Sequence, residues 1–276
     1  MLILYYDDTI TVEQLQQLKL MVQRRQQLEP LAYIIGYKEF YSLNFTVTPA
    51  VLIPRPDSEI LVDLAIKYGK QKLEQVEITN DKSQYNILDL GTGSGCLLIA
   101  IVNSLLTFES SSKIQGIGVD ISFEALAIAK ENIQQHNLEK QCNLILSDFF
   151  QNISNSPTAK SAKILNFPTT KFNLIISNPP YIAKNELSNL MPDVSNYEPL
   201  NALSDMADGL SHYRTIISQL DQHLAIDGVA ILEHGYLQRD GIKEIIQQYS
   251  KTLELIKEAS DLQGHPRAVV IKLKST

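Results

Sequence analysis

The sequence predicts an α/β fold whose mostly parallel sheet is covered by helices on both faces. From residue 86 onward, short apolar and β-branched segments alternate with segments of helical periodicity. This alternation is typical of parallel strands joined by crossover helices. Two of the apolar segments end in a glycine-rich or a proline-rich turn. Because an open α/β sheet binds its ligands where the strands end, these turns also predict a functional site.

Residues 1–36 are predicted to form a small helical N-terminal domain. Apolar side chains recur at nearly helical spacing over 11–28, with Thr9 or Thr11 as the helix cap and Pro30 as its stop. A single amphipathic helix must bury its apolar side chains against something. The pattern therefore predicts a helical appendage at this end of the chain.

The next segment is predicted to link this appendage to the main domain. Residues 37–54 are rich in aromatic and β-branched side chains around a Ser-Leu-Asn turn, which predicts a β-hairpin linker. The main domain, residues 55–276, opens with prolines that mark the entry of a helix over 58–74. Residues 75–85 are polar and predict a loop.

Strands and helices alternate through the rest of the main domain. The predicted strands are 86–90, 114–120, 143–147, 173–177, 228–233 and 267–273. The predicted helices are 96–107, 122–136, 210–225 and 237–249. Residues 150–171 are polar, proline-containing and without periodicity, which predicts an exposed loop insertion.

Composition limits the possible function classes. The 276 residues carry a net charge of −7, which argues against binding through many phosphate contacts, so no direct nucleic-acid partner is expected. Cys96 and Cys142 lie in apolar segments far apart, which predicts buried thiols in a reducing compartment and no metal site. The chain shows no apolar run long enough to span a bilayer and no signal-peptide features, so a cytoplasmic protein without membrane contact is expected.

The glycine-rich turn after strand 86–90 predicts a nucleoside cofactor site. Its GxGxG spacing differs from the GxGxxG that holds a pyrophosphate, and the preceding Asp89 would repel phosphates but suit an ammonium or sulfonium group. S-adenosyl-L-methionine fits both features. The alternative is a tight turn without a ligand. The residues predicted to contact the cofactor here are Asp89, Gly91, Thr92, Gly93, Ser94 and Gly95.

The ends of the next two strands add compatible side chains. Asp120 stands where an acidic residue chelates ribose hydroxyls, although it could also cap the helix that starts near Ser122. After the third strand, Asp148 could accept a hydrogen bond from an adenine amino group, and Phe149 could pack on the ring. A surface aspartate with a core phenylalanine is the alternative for this pair.

The fourth strand ends in Asn178-Pro179-Pro180-Tyr181, and this motif predicts the substrate site. The Asn178 side-chain carbonyl and the Pro179 backbone carbonyl are two acceptors that can hold both protons of a planar –NH2 group. The prolines stiffen the turn, and Tyr181 offers a flat face. A proline-rich strand exit with a capping asparagine is the alternative. The four strand ends together predict a methyltransferase that uses S-adenosyl-L-methionine and acts on a planar –NH2.

The chain resembles the release factor glutamine methyltransferase family (HemK/PrmC). The resemblance covers nearly the whole chain. It rests on EPLAYIIG at 29–36, KEFY at 38–41, VLIPRPDSE at 51–59, LDLGTGSG at 88–95, SNPPYI at 177–182, YEPL at 197–200, DGL at 208–210, LEHG at 232–235 and GHPR at 264–267. The NPPY motif alone is shared with nucleic-acid amino-methyltransferases, whereas the segments at 51–59 and 197–200 are more particular to this family.

The resemblance implies a fold and an activity. The fold is a Rossmann-like, seven-stranded class I methyltransferase sheet with a linking β-hairpin and a shortened N-terminal helical domain. The implied reaction is transfer of a methyl group from S-adenosyl-L-methionine to N5 of the glutamine in the GGQ motif of class I peptide chain release factors. Residues 91–95, Asp120, Phe149 and Asn178 would contact the cofactor, and residues 178–181 would hold the glutamine. We expect a cytoplasmic monomer.

Three other function classes are compatible with parts of the sequence. A nucleic-acid amino-methyltransferase could use the same site for adenine, but the acidic chain lacks a stripe rich in lysine and arginine. A non-catalytic cofactor-binding protein of the translation machinery would leave the NPPY motif without a purpose. The glycine spacing disfavours a dinucleotide-dependent oxidoreductase.

Overall fold

The computed structural model describes residues 9–79, 84–108, 114–153, 171–249, 251–261 and 263–274. Its strands are β1 (Tyr37–Phe40), β2 (Leu43–Thr46), β3 (Tyr85–Leu90), β4 (Ile114–Asp120), β5 (Cys142–Leu146), β6 (Phe172–Ser177), β7 (Leu224–Glu233), β8 (Leu253–Ser260) and β9 (Pro266–Leu273). Its main helices are α1 (Val12–Gln26), α2 (Leu31–Ile35), α3 (Glu59–Thr79), α4 (Cys96–Phe108), α5 (Phe123–Gln135), α6 (Ser211–Ile217), α7 (Leu220–His223) and α8 (Arg239–Gln248). Short helical turns lie at Pro56–Ser58, Lys184–Asn189, Pro192–Ser195 and Leu200–Leu203.

Seven strands form one sheet in the order β5-β4-β3-β6-β7-β9-β8. The first five are parallel to their neighbours, and β9 runs antiparallel to both β7 and β8. The predicted seven-stranded α/β sheet is therefore confirmed. Its strand order reverses between β3 and β6, and in an open α/β sheet this is where ligands bind.

The core lies on both faces of this sheet. All six residues of β3 are buried, as expected for a central parallel strand. Ile87 packs into the cluster that includes side chains of α3 and α4, whereas Leu88 packs into the cluster that includes side chains of α6 and α8. This double burial fixes the position of the strand ends from which the site is built.

The predicted hairpin is present, but its turn was predicted at the wrong residues. Tyr41 and Ser42 form it, both with positive φ (51° and 62°), whereas Leu43 and Asn44 belong to β2. Positive φ is costly for residues other than glycine. Here two side chains accept from the turn amides, Glu59 from Tyr41 N at 3.0 Å and Glu39 from Ser42 N at 2.6 Å. Glu59 is distant in sequence, so local patterns could not show this support.

The hairpin is tied to the main domain by a buried asparagine. Asn132 on α5 donates through Nδ2 to the carbonyls of Thr46 (3.0 Å) and Ser94 (2.8 Å). Its Oδ1 accepts from Thr46 N at 2.7 Å. One side chain therefore joins β2 to the glycine-rich turn.

Three further predictions need correction. Residues 75–79 continue α3 instead of forming a loop, and of the predicted loop only 80–83 lies outside the described residues. The helix predicted over 210–225 is two short helices that end at His223, because Leu224 begins β7 and pairs with Phe172. Strand β8 was not predicted from the sequence, because its charged residues interrupt the apolar pattern that is typical of a strand. Charged residues of this kind suit a strand at the edge of a sheet.

Helix α1 confirms the N-terminal prediction, with Thr11 as its cap in a capping box with Gln14. Its apolar residues are exposed in the described part of the chain. Pro30 opens the short α2, which was not predicted. Most of the predicted insertion, residues 154–170, lies outside the described residues. Among the helices that are described, none combines the length and apolar character needed to cross a membrane.

Candidate active site

A cleft opens where the strand order reverses. It encloses about 1000 Å³ of space between atoms, part of it open solvent. The predicted residues that line it are Gly91, Thr92, Gly93, Ser94, Asp120, Asp148, Phe149, Asn178 and Pro180. Among the described residues, the predicted ones outside its lining are Asp89, Gly95, Pro179 and Tyr181. Because β3 pairs with β6, the glycine-rich turn and the NPPY motif leave the sheet side by side.

The glycine-rich turn fits a ligand without phosphates. The amides of Gly91 and Thr92 donate to Val119 O, and the amide of Gly93 donates to Asp120 Oδ2 at 2.9 Å. These donors are therefore not available to form an anion site. Gly91 and Gly93 have positive φ, and a Cβ on either would meet no atom within 4 Å. The bare backbone thus faces open space that a ligand can approach closely.

The donor set of the cleft suits S-adenosyl-L-methionine. Asp120 lines the cleft as a half-buried carboxylate whose oxygens already accept from Gly93 N and Ser122 N. Ribose hydroxyls can donate hydrogen bonds to such a carboxylate. The apolar Ile121 and Phe149 also line the cleft and suit an adenine ring. Their predicted roles stay predictions. Ser122, not Asp120, caps α5.

Asp89 is fully buried beneath the turn, with 0% exposure. Thr92 Oγ1 donates to its Oδ2 at 2.7 Å, whereas its Oδ1 finds no hydrogen-bond partner among the described residues. Burial raises the pKa of Asp89 to about 7, and the charge of Asp120 adds to this effect against the Thr92 hydrogen bond. A carboxylate kept without a counter-ion under a ligand site is suited to act on a cationic ligand through the field of its charge.

The third strand end brings an unpredicted residue to the cleft. Phe149 has positive φ (44°), and its ring meets the edge of His212 with centroids 5.3 Å apart. Both residues line the cleft, and Asp148 does so from the same loop. Burial lowers the pKa of His212. Since His212 lies 63 residues beyond Phe149 in the sequence, no local spacing could have shown this pair.

The NPPY motif places its residues at different depths. Asn178 lines the cleft, and its Nδ2 donates to Ser58 Oγ at 3.2 Å. Pro180 lines the cleft as well, whereas Pro179 is buried. Tyr181 packs against the core cluster under α6 and α8, and burial raises its pKa to about 12. The motif thus exposes an amide side chain on a rigid support.

Residues 50–58 form one wall of the cleft and are held by a buried glutamate. Glu198 Oε1 pairs with Arg55 Nη2 at 2.5 Å, and its Oε2 accepts from Ile53 N at 3.2 Å. The Glu198 side chain is only 1% exposed. Glu198 belongs to the YEPL segment and Arg55 to the IPRP segment, so this contact joins the two segments in space. Both segments were noted in the sequence, whereas their pairing was not predicted.

Gln238 joins three loops around the NPPY motif. Its Nε2 donates to Tyr181 O (2.7 Å) and to Gly209 O (3.0 Å), and its Oε1 accepts from Gly235 N (3.0 Å). The loop that contains Gly209 is itself organised by Asp205, which accepts from its amides. Gln238 therefore fixes the chain as it leaves the motif, a role that its position just before α8 did not predict.

We expect Gln238→Glu to lower turnover about tenfold to a hundredfold, since a carboxylate cannot donate to two carbonyls and a shift of the motif misplaces the substrate. Cofactor affinity should change less than about twofold, because Gln238 is not part of the cleft lining. Steady-state kinetics and calorimetric titration would measure both. Gln247→Glu, on the exposed side of the same helix, is the matched control. Equal turnover of the two variants would contradict this role.

Comparison with known proteins identifies the domains and relatives of this chain. A methyltransferase domain model matches residues 81–263, and a PrmC N-terminal domain model matches residues 1–36. The release factor glutamine methyltransferase of Pasteurella multocida is 37% identical over 249 residues, which cover 89% of this chain and 77% of that protein. A bifunctional methyltransferase of Rickettsia bellii is 37% identical over 268 residues and 91% of this chain. The chain spans 44% of the Rickettsia protein's length.

The fold also matches a solved structure. The N-terminal domain of human METTL16 in complex with SAH aligns with a TM-score of 0.53 over 85% of this chain and 77% of that one, at 14% identity. At this identity the match concerns the fold alone. The domain matches and the identity to the Pasteurella protein lead to one conclusion: the chain belongs to the release factor glutamine methyltransferase family.

Proposed function

We propose that this protein transfers a methyl group from S-adenosyl-L-methionine to the side-chain amide nitrogen (N5) of the GGQ glutamine in class I peptide chain release factors. The observation that carries this proposal is the place of Asn178 in the cleft, next to the glycine-rich turn. Because its Nδ2 donates to Ser58, its Oδ1 can accept a hydrogen bond from an incoming amide. Membership of the family supports the substrate class.

The chain's own residues act mainly by positioning. An amide nitrogen is a weak nucleophile because its lone pair is delocalised. The bound cofactor supplies an electrophilic methyl group. Asn178 Oδ1 and the Pro179 carbonyl would each accept one N–H of the glutamine amide, which orients the nitrogen. The same two acceptors would stabilise the positive charge that develops on nitrogen. Tyr181, held through its carbonyl by Gln238, keeps the motif rigid.

We also propose the kind of partner, the oligomeric state and the cellular compartment. The net charge of −7 favours a protein substrate over a nucleic acid that binds through its phosphates. We propose that the enzyme acts as a monomer. Release factors act in the cytoplasm, so we place the enzyme there.

The test is methyl transfer from labelled S-adenosyl-L-methionine. Purified release factor, its GGQ→GGA variant and ribosomal RNA would be offered side by side. We expect label on the wild-type factor and none on the other two. Label on both forms of the factor would mean that the modified residue is not the GGQ glutamine. Label on RNA would replace the proposal with a nucleic-acid amino-methyltransferase.

A further inference from the structure

A buried carboxyl group lies behind the substrate-facing asparagine. Ser177 at the end of β6 pairs with Leu232 of β7, so Asn178 and Glu233 follow at neighbouring strand ends. Glu233 is 1% exposed, and its Oε2 has no hydrogen-bond partner within the part of the chain that the structure describes. The mechanism above uses Asn178 but gives Glu233 no role.

The charge of Glu233 has no dedicated counter-ion in the described part of the chain. The guanidinium of Arg267, whose charge acts on Glu233, is already paired with Asp57 Oδ2 at 2.8 Å and Asp261 Oδ2 at 3.0 Å. Burial raises the pKa of Glu233 to about 7, opposed by hydrogen bonding from Ser58, by the charge of Arg267 and by hydrogen bonding from Asn178. Ser58 and Asn178 are thus the polar side chains that can stabilise the charged form of this buried carboxyl group.

When Glu233 is ionised, hydrogen bonds along Asn178, Ser58 and Glu233 are donated toward the carboxylate. An ionised carboxylate only accepts, so a hydrogen bond between Ser58 and Glu233 uses the single hydroxyl proton of Ser58. The Ser58 oxygen then accepts, and it does so from Asn178 Nδ2 at 3.2 Å. Asn178 Oδ1 is left for the cleft. A protonated Glu233 could instead donate to Ser58, whose hydroxyl could then donate to Asn178 Oδ1. The amide could then turn round and present Nδ2 to the substrate, where two donors would face each other.

We propose that Glu233 is a positioning residue whose negative charge, relayed through Ser58, holds the Asn178 amide with its oxygen toward the substrate, and that protonation releases this orientation. The inference rests on the proposed function, because the substrate is taken to be an amide that donates to Asn178. The protonation state of Glu233, which lies outside the cleft lining, thereby determines which atom of the Asn178 amide faces the substrate.

The other groups that sense this charge are few in the described part of the chain. Arg267 and Asp57 act on Glu233 with opposite signs. The charge of Glu233 in turn raises the pKa values of three neighbouring groups, those of Tyr181, Tyr213 and Cys96, each of which is dominated by burial. Tyr181 and Cys96 titrate near pH 12 and the Tyr213 pKa is raised further, so they stay neutral at neutral pH. These three groups therefore add no charge change to the pH dependence expected of Glu233 near pH 7.

The activity test is the pH profile of methyl transfer at saturating cofactor and release factor. The wild-type rate should fall about tenfold from pH 8 to pH 6, as the ionised fraction of a group with a pKa of about 7 falls from about 0.9 to about 0.1. Glu233→Gln should be at least about tenfold slower at pH 8 and flat across this range. The matched control, Glu254→Gln on the edge strand β8, should keep the wild-type rate and profile. A Glu233→Gln profile parallel to the wild type would overturn the inference.

A second measurement does not depend on activity. The nitrogen-15 signals of the Asn178 side-chain amide, assigned by their loss in Asn178→Ala, should titrate near pH 7 in the wild type and not in Glu233→Gln. Absence of this titration in the wild type overturns the inference even if methyl transfer is found. Absence of methyl transfer at every pH, with the titration present, would contradict the proposed function and leave the coupling between Glu233 and Asn178 supported. If Glu233→Gln does not fold, Ser58→Ala takes its place, and an unchanged rate and profile there also overturns the inference.

Discussion

Asn178→Ala should lower the rate of methyl transfer about a hundredfold to a thousandfold. The substitution removes the side-chain acceptor that orients the glutamine amide and meets the charge that develops on its nitrogen, and losses of this size are typical when one such group is removed. The double variant Asn178→Ala/Tyr181→Ala should lose turnover completely. Single-turnover methylation of a release factor, with both variants saturated in cofactor, would measure the effect.

The control separates catalysis from binding. Cofactor affinity of Asn178→Ala should stay within about threefold of the wild type, because the glycine-rich turn and Asp120 supply most of the cleft on that side. Asn103→Ala, the same change on the outer part of α4, should leave both quantities unaltered. Wild-type turnover in the double variant would refute the assignment of the NPPY motif as the substrate site.

Asp89→Asn should make the protein more stable at high pH and weaken its hold on the cofactor. The folded-state pKa of Asp89 is about 7, above its ordinary value of about 3.9. The folded protein therefore binds a proton that the unfolded chain releases, so stability from this group is full at low pH and is lost as pH rises through 7. Between pH 5 and pH 8 the wild type should lose about 3 kcal/mol more than Asp89→Asn.

Denaturant unfolding at both pH values would measure this difference, and using the difference cancels the contribution of Glu233 and of every other carboxyl group. For binding, S-adenosyl-L-methionine at pH 8 should bind the variant about tenfold more weakly, since a buried charge acts on its cationic groups. Methylthioadenosine lacks those groups and should bind both proteins equally. Equal loss for both ligands would assign Asp89 to the shape of the turn instead of to charge recognition.

The strand ends could be predicted from sequence because each is a local pattern. A β-branched run followed at once by alternate glycines, or by two prolines, has few structural solutions, and Asp89 and Asn178 were found in this way. Their adjacency followed from the rule that parallel sheets bind ligands at the reversal of strand order. The structure puts these ends on the paired strands β3 and β6.

The remaining features depend on contacts between distant residues. The hairpin turn at Tyr41 and Ser42 is supported by Glu59, which lies 18 positions from Tyr41, and Glu198 reaches Arg55 across 143 positions. Asp89 and Tyr181 were predicted as ligand contacts from residue type alone, yet their side chains lie outside the cleft lining. Burial of this kind is a property of the packed chain and cannot be obtained from the order of residues.

The three hydrogen bonds of Asn132 have a consequence for anyone who recombines relatives of this protein. Asn132 holds β2 and the glycine-rich turn in one fixed relation, so a chimera cut between residues 54 and 55 would divide a unit whose two parts are matched. A hairpin transplanted from another protein would meet Asn132 with its own backbone in a different place, and two carbonyls and an amide would lose their partners together. Such transplants should carry α5 along with the hairpin.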